Sequence, residues 1–126
     1  MSSSLASKLQ IKPGARLAVL NAPGGLPPTF AAELPGIEVR EGAEGAADSV
    51  LLFVRCLADV GRLLGSAIAA APAGGPLWIA YPKLTSGAAS DLSRDILWHA
   101  VEPSGWRPVR QVALDEIWSA MRFKPV

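Results

Sequence analysis

Apolar residues in this chain fall into short unbroken runs separated by stretches of helical spacing, and this alternation predicts the elements. "LAVL", Leu17 to Leu20, follows a Pro13-Gly14 turn and is apolar throughout, as in a strand buried on both faces; Asn21 ends it. "SVLLFV", Ser49 to Val54, is the most hydrophobic short run and predicts a central strand, and "PLWIAYP", ending at Pro82, predicts another buried one. "IEVRE", ending at Glu41, alternates instead, which suits a short strand near a sheet edge.

From Leu57 the period changes. Leu57, Val60, Leu63, Leu64, Ala67, Ile68 and Ala71 fall on one helical stripe that stops at "PAGG". A second stripe, Leu92, Ile96, Leu97, Ala100 and Val101, predicts a helix capped by Ser90 or Asp91 and stopped by Pro103 to Gly105. A shorter helix is expected between Thr29 and Pro35-Gly36. In the last segment, Val109 to Leu114 and Trp118 to Phe123 suit a β-hairpin turning at Asp115 and Glu116. Leu114, Ile117, Trp118 and Met121 equally fit a helical stripe, and periodicity does not choose between them. Strands that alternate with helices and are apolar on both faces predict an α/β domain with a mainly parallel sheet. We read residues 1–8 as a polar tail and 9–126 as one domain, since 126 residues suffice for one ordinary core but not two.

One uncharged stretch, Leu63 to Tyr81, approaches the ~20 residues of a membrane-spanning helix. Pro72, Gly74, Gly75 and Pro76 interrupt it at the middle, where lipid would leave the turn's backbone groups without partners, so a buried helix followed by a buried strand is expected. Twelve basic against eleven acidic residues leave a net charge of +1, which makes no electrostatic case for nucleic acid or an anionic membrane. The start, "MSSSLASKLQIKPG", lacks the basic and apolar regions of a secretory signal, so a cytoplasmic location is expected. One cysteine, Cys56, and one histidine, His99, give no metal-ligand spacing, and no metal site is expected.

The block "ADSVLLFVRCLADVGRLLGSAIAAAPAGGPLWIAYPK" runs strand, helix, Pro-Gly-Gly-like turn, strand. In this order it resembles a shortened class I, S-adenosylmethionine-dependent methyltransferase domain, and a group of small uncharacterised bacterial proteins of that shape. The resemblance covers roughly the last two-thirds of the chain and implies a three-layer Rossmann-like fold closed by a C-terminal antiparallel hairpin. It therefore favours the hairpin reading of the last segment. It also implies a glycine-rich turn after the first strand and an acid at the end of the second for S-adenosylmethionine. The first turn, "LNAPGGLPPTF", has Gly24 and Gly25 without GxGxG spacing, and Glu38 and Glu41 are the available acids. The loop after "SVLLFV" lacks the Asn-Pro-Pro-Tyr type motif of many amino methyltransferases that act on nucleic acids.

Open parallel sheets bind ligands at the carboxyl ends of their strands, where loops diverge and helix N-termini point. This rule singles out Asn21, Arg55, Lys83, Ser86, Arg94, Asp115 and Trp118 as candidate ligand-binding residues for a small molecule. Lys83, Thr85, Ser86, Ser90 and Arg94 together suit an anionic group. Their plain reading is helix capping, with Arg94 paired to Asp91 or Asp95. A Lys83-activated Ser86 nucleophile lacks an identifiable oxyanion hole, and Cys56 with His99 is weaker still. Most of the four tryptophans are expected in the core, with Trp118 at a crevice rim. Asp115 and Glu116 either pair with Lys83 or Arg55 or form a solvated turn. Three functions remain open at this stage: ligand binding at the sheet edge, methyl transfer from S-adenosylmethionine, and a non-catalytic interaction module such as a homodimer formed through an edge strand or the hairpin.

Overall fold

Runs with no polar face have to lie inside a sheet covered on both sides, and three of them do. The computed structural model describes residues 14–21, 38–41, 48–71, 77–82, 93–113 and 118–125. Strands β1 (Arg16–Leu20), β2 (Glu38–Glu41), β3 (Ser49–Phe53), β4 (Leu77–Pro82), β5 (Trp106–Ala113) and β6 (Trp118–Pro125) form one six-stranded sheet of order β2-β1-β3-β4-β6-β5. β2, β1, β3 and β4 run parallel, and β6 returns antiparallel to both β4 and β5. The C-terminal segment is thus the hairpin, and "EVRE" is an edge strand.

Every residue of β3 and β4 is buried, and alternate positions feed two cores. Val50, Leu52, Leu77, Ile79, Met121 and Phe123 face the helices, while Leu17, Leu51, Phe53, Trp78 and Ala120 form a second cluster on the opposite face. The sheet is therefore the middle layer of an α/β domain. The uncharged stretch resolves into the end of a helix, residues 72–76 and β4. No described helix is long and apolar enough to cross a membrane.

Helix α1 (Leu57–Ala70) connects β3 to β4 and buries Val60, Leu64 and Ala67, which lie on one stripe. Helix α2 (Arg94–Val101) buries Leu97 and Val101, four residues apart, and a short 3-10 turn (Glu102–Ser104) follows it. Gly105 closes that turn in the left-handed region at φ 84°, the conformation that ends the helix and starts β5. Two stripe expectations need correction. Leu57 and Ile96 are each 42% exposed, because Leu57 stands in the first turn of α1 and Ile96 lies one residue, about 100° of helix, away from the buried Leu97. The cap of α2 is Ser93, whose Oγ accepts from the Ile96 amide at 3.3 Å, and not Ser90 or Asp91, which lie with Leu92 outside the described residues. The helix expected near Thr29 also lies outside them. Of the tryptophans, Trp78 is fully buried and Trp106 nearly so, whereas Trp98 is 39% exposed.

Between α1 and α2 runs an open groove of about 390 Å³, lined by Leu57, Gly61, Leu64, Gly65, Ile68 and Ala100 among others. A β-carbon added at Gly61 or Gly65 meets nothing within 4 Å. Gly61→Ala and Gly65→Ala should each raise unfolding free energy by about 0.5–1 kcal/mol through helix propensity alone. Urea denaturation checks this, and a loss of stability would mean that the glycines serve a contact the groove does not reveal.

Candidate functional site

The chain leaves β1 for β2 on one side and later returns through β3 on the other, so the strand order reverses between β1 and β3. At such a reversal the loops at the carboxyl ends part and leave a crevice. Asn21 stands at the end of β1, Glu41 is the last residue of β2, and Val54, Arg55 and Cys56 lead from β3 into α1. Glu38, by contrast, opens β2 opposite Arg16, at the far edge of the sheet. The register therefore separates two acids that sequence alone left equivalent.

Asn21 turns the chain sharply. Its φ of 59° makes it the one described non-glycine residue in the left-handed region, where asparagine is among the most tolerated side chains. Its Nδ2 donates to the Phe53 carbonyl at 2.9 Å and so ties the end of β1 to the end of β3 across the reversal. Nearby, the α1 N-terminus is served from within the chain. The Asp59 carboxylate accepts from the Arg55 amide at 2.9 Å and from Arg62 Nη2 at 2.9 Å. The Arg55 amide bond is the main cause that holds Asp59 below the usual carboxylate range, with Arg62 adding to it. An acid in the first turn also meets the positive end of the helix dipole. The Arg55 side chain is exposed at this edge.

Trp118 opens β6 beside Pro82, the last residue of β4, and is half-buried, with its ring edge-on to Phe53 at 5.1 Å. Asn21, Phe53 and Trp118 thereby form one continuous line of contact along the carboxyl edge. Arg94 is the first residue of α2 and reaches Asp95 at 3.6 Å, both side chains being well exposed. It acts elsewhere, on the Tyr81 phenol, whose Oη accepts from Gln111 Nε2 at 2.7 Å. Burial pushes the Tyr81 phenol up, and the charge of Arg94 partly offsets this. Lys83, Thr85, Ser86, Ser90, Asp115 and Glu116 lie outside the described residues. Cys56 is the half-buried N-cap of α1, and His99 is an exposed α2 residue stacked on Trp98 at 5.9 Å. No cluster of three or more potential metal ligands occurs among the described residues.

Asp59 and Gln111 did not stand out in the sequence. An acid three residues after the helix cap is a capping signal and marks Asp59 in retrospect. Nothing local marks Gln111, whose partner lies 30 residues away.

No family model and no curated protein matches the sequence. Solved structures do match the fold. Fibrillarin in a fibrillarin/Nop5p complex superposes with a TM-score of 0.60 at 8% identity, over 92% of this chain and 75% of that one. The m1A22 tRNA methyltransferase TrmK of B. subtilis gives 0.54 at 14%, over 99% and 67%. LepI in complex with SAM gives 0.51 at 16%, over 97% of this chain but only 39% of LepI. The chain has a shortened class I methyltransferase-like, Rossmann-like fold.

Two measurements probe this edge. Asn21→Ala should cost roughly 1–3 kcal/mol, because it loses the bond to Phe53 and keeps a β-carbon in the left-handed region, whereas Asn21→Gly should cost less. Equal losses in urea denaturation would show that the left-handed backbone contributes nothing. Asp59→Ala should cost about 1 kcal/mol near neutrality. Because the folded Asp59 has a lowered pKa, its contribution is complete above the unfolded value of about 3.9 and fades as pH falls through the folded value. A wild-type minus variant difference that grows on acidification would contradict that assignment.

Proposed function

We propose that this domain binds a small nucleoside-type molecule at the carboxyl edge of its sheet, in the crevice between β1 and β3. The observation that carries the reading is the placement of Asn21, Glu41 and Arg55 at the ends of three adjacent parallel strands on either side of the strand-order reversal. A sharp turn after β1 lets backbone approach a ligand, and Asn21 makes that turn without a GxGxG sequence. An acid at the end of β2 supplies acceptors for ribose hydroxyls, and Glu41 occupies that position in the register.

A second reading is methyl transfer with S-adenosylmethionine as cofactor, supported by the likeness to TrmK and to LepI in its complex with SAM. The left-handed Asn21 fits such a ligand at the first turn, and Glu41 would hold the ribose. When bound, the cofactor would supply an activated methyl group. The chain's own part is to bind and orient it.

Titration of the full chain with S-adenosylmethionine and with adenosine, followed by calorimetry and by amide NMR shifts at Asn21 and Arg55, tests both readings. Saturable binding of either ligand with shifts at those amides supports the nucleoside site, with Glu41→Gln weakening it about tenfold, the value of one charged hydrogen bond. Binding of S-adenosylmethionine at least tenfold tighter than adenosine supports the cofactor reading, and equal affinities count against it. No shift at Asn21 or Arg55 with millimolar ligand overturns both.

A further inference from the structure

Within the β5–β6 hairpin the register sets Arg107 opposite Lys124 and Arg110 opposite Arg122. Arg122 and Lys124 are two residues apart on β6, so their side chains leave the same face of the sheet, and their partners on β5 share it. Arg122 also stands opposite Trp78, the second residue of β4, whose side chain belongs to the cluster of Leu51 and Ala120. The four cations therefore lie on the face turned away from α1 and α2, toward the amino ends of the parallel strands and away from the β1–β3 crevice. Arg107, Arg110 and Lys124 are exposed, and Arg122 is half-buried.

Cationic side chains on an outermost strand guard it against pairing with another sheet, which accounts for Arg107 and Arg110. It does not account for Arg122 and Lys124, because β6 is paired on both sides, with β4 and with β5. Like charges placed directly opposite one another destabilise a strand pair, so both rungs work against the hairpin's own stability, and a bound polyanion would relieve them. Along β6 the two rungs are about 6.7 Å apart, the rise of two residues, and opposed side chains start about 5 Å apart. Successive phosphates on a nucleic-acid strand are spaced on the same scale, whereas the carboxylates of an acidic protein have no fixed repeat. Three of the four cations are guanidinium groups, whose forks match phosphate oxygens. We propose that this face of the hairpin binds the phosphate backbone of a nucleic-acid strand, with successive phosphates at the Arg107–Lys124 and Arg110–Arg122 rungs. The net charge of +1, averaged over the chain, conceals this local ladder. The surface shares no residue with the β1–β3 crevice and stands whether or not that crevice binds a nucleoside.

The test is fluorescence anisotropy of the full chain with a labelled single-stranded oligonucleotide of about 20 nucleotides, over a series of salt concentrations. Binding should saturate at about 50 mM salt, and the logarithm of the association constant should fall against the logarithm of salt with a slope of about −1.5 to −3, the range for two to four neutralised phosphates on a single strand. The double variant Arg107→Gln/Arg110→Gln should bind about tenfold or more weakly, with a slope shallower by about 1. Arg62→Gln removes a charge from α1, on the other face of the sheet, and should change affinity by less than about twofold. Because Arg107 and Arg110 each face a like charge, the double variant should melt no lower than the wild type, which separates lost binding from lost folding. No saturation by about 200 μM protein, a double variant that binds as the wild type does, or an equal loss in Arg62→Gln would each overturn the assignment. Polyglutamate or anionic lipid vesicles that displace the labelled strand as well as an unlabelled oligonucleotide does, at equal anion concentration, would assign the surface to an acidic protein or a membrane and overturn it as well.

Discussion

β3 and β4 are buried along their whole lengths and β1 at its three central residues, and the rest of the molecule is arranged around that burial. A strand buried on both faces can satisfy its backbone only through neighbours on either side, which is why the three lie adjacent in the middle of the sheet with β2 and the hairpin outside them. Parallel neighbours require crossovers, and α1 is the described helix of the one between β3 and β4, with Val60, Leu64 and Ala67 seated on the face formed by Val50, Leu52, Leu77 and Ile79. The direction of the sheet follows from this. All four parallel carboxyl ends emerge along one edge, and so does the N-terminus of α1.

At that edge, much of the polar capacity is already engaged within the chain. Asn21 donates to Phe53, and Asp59 takes the Arg55 amide and Arg62. These bonds preorganise the ends of β1 and β3, and Arg55 is exposed at the same edge. The aromatic contact of Trp118 with Phe53 extends the rigid line across β4 to the hairpin.

The hairpin gives the domain a different chemistry. It pairs Arg107 with Lys124 and Arg110 with Arg122, so the strand pair carries four cations in opposed positions and no acid within β5 or β6. Charge on the outermost strand discourages pairing with another sheet, and a bulge between Pro108 and Arg110 adds to that effect. The overall charge of +1 hides this local excess because acids elsewhere balance it.

The uninterrupted runs at Leu17 to Leu20, Ser49 to Val54 and Leu77 to Tyr81, and the helical spacing from Val60 to Ala67, were enough to identify buried parallel strands and their connecting helix, because solvation acts on each residue locally and leaves a period in the sequence. The hairpin needed a resemblance as well as a pattern, since a segment of that length fits both periods. Which acid stands at the carboxyl edge, that Asn21 reaches Phe53, and that Gln111 is held by Tyr81 were settled only by the folded chain. Each depends on register or on contact between segments 30 to 32 residues apart, which are fixed by the packing of whole elements and leave no trace in local spacing.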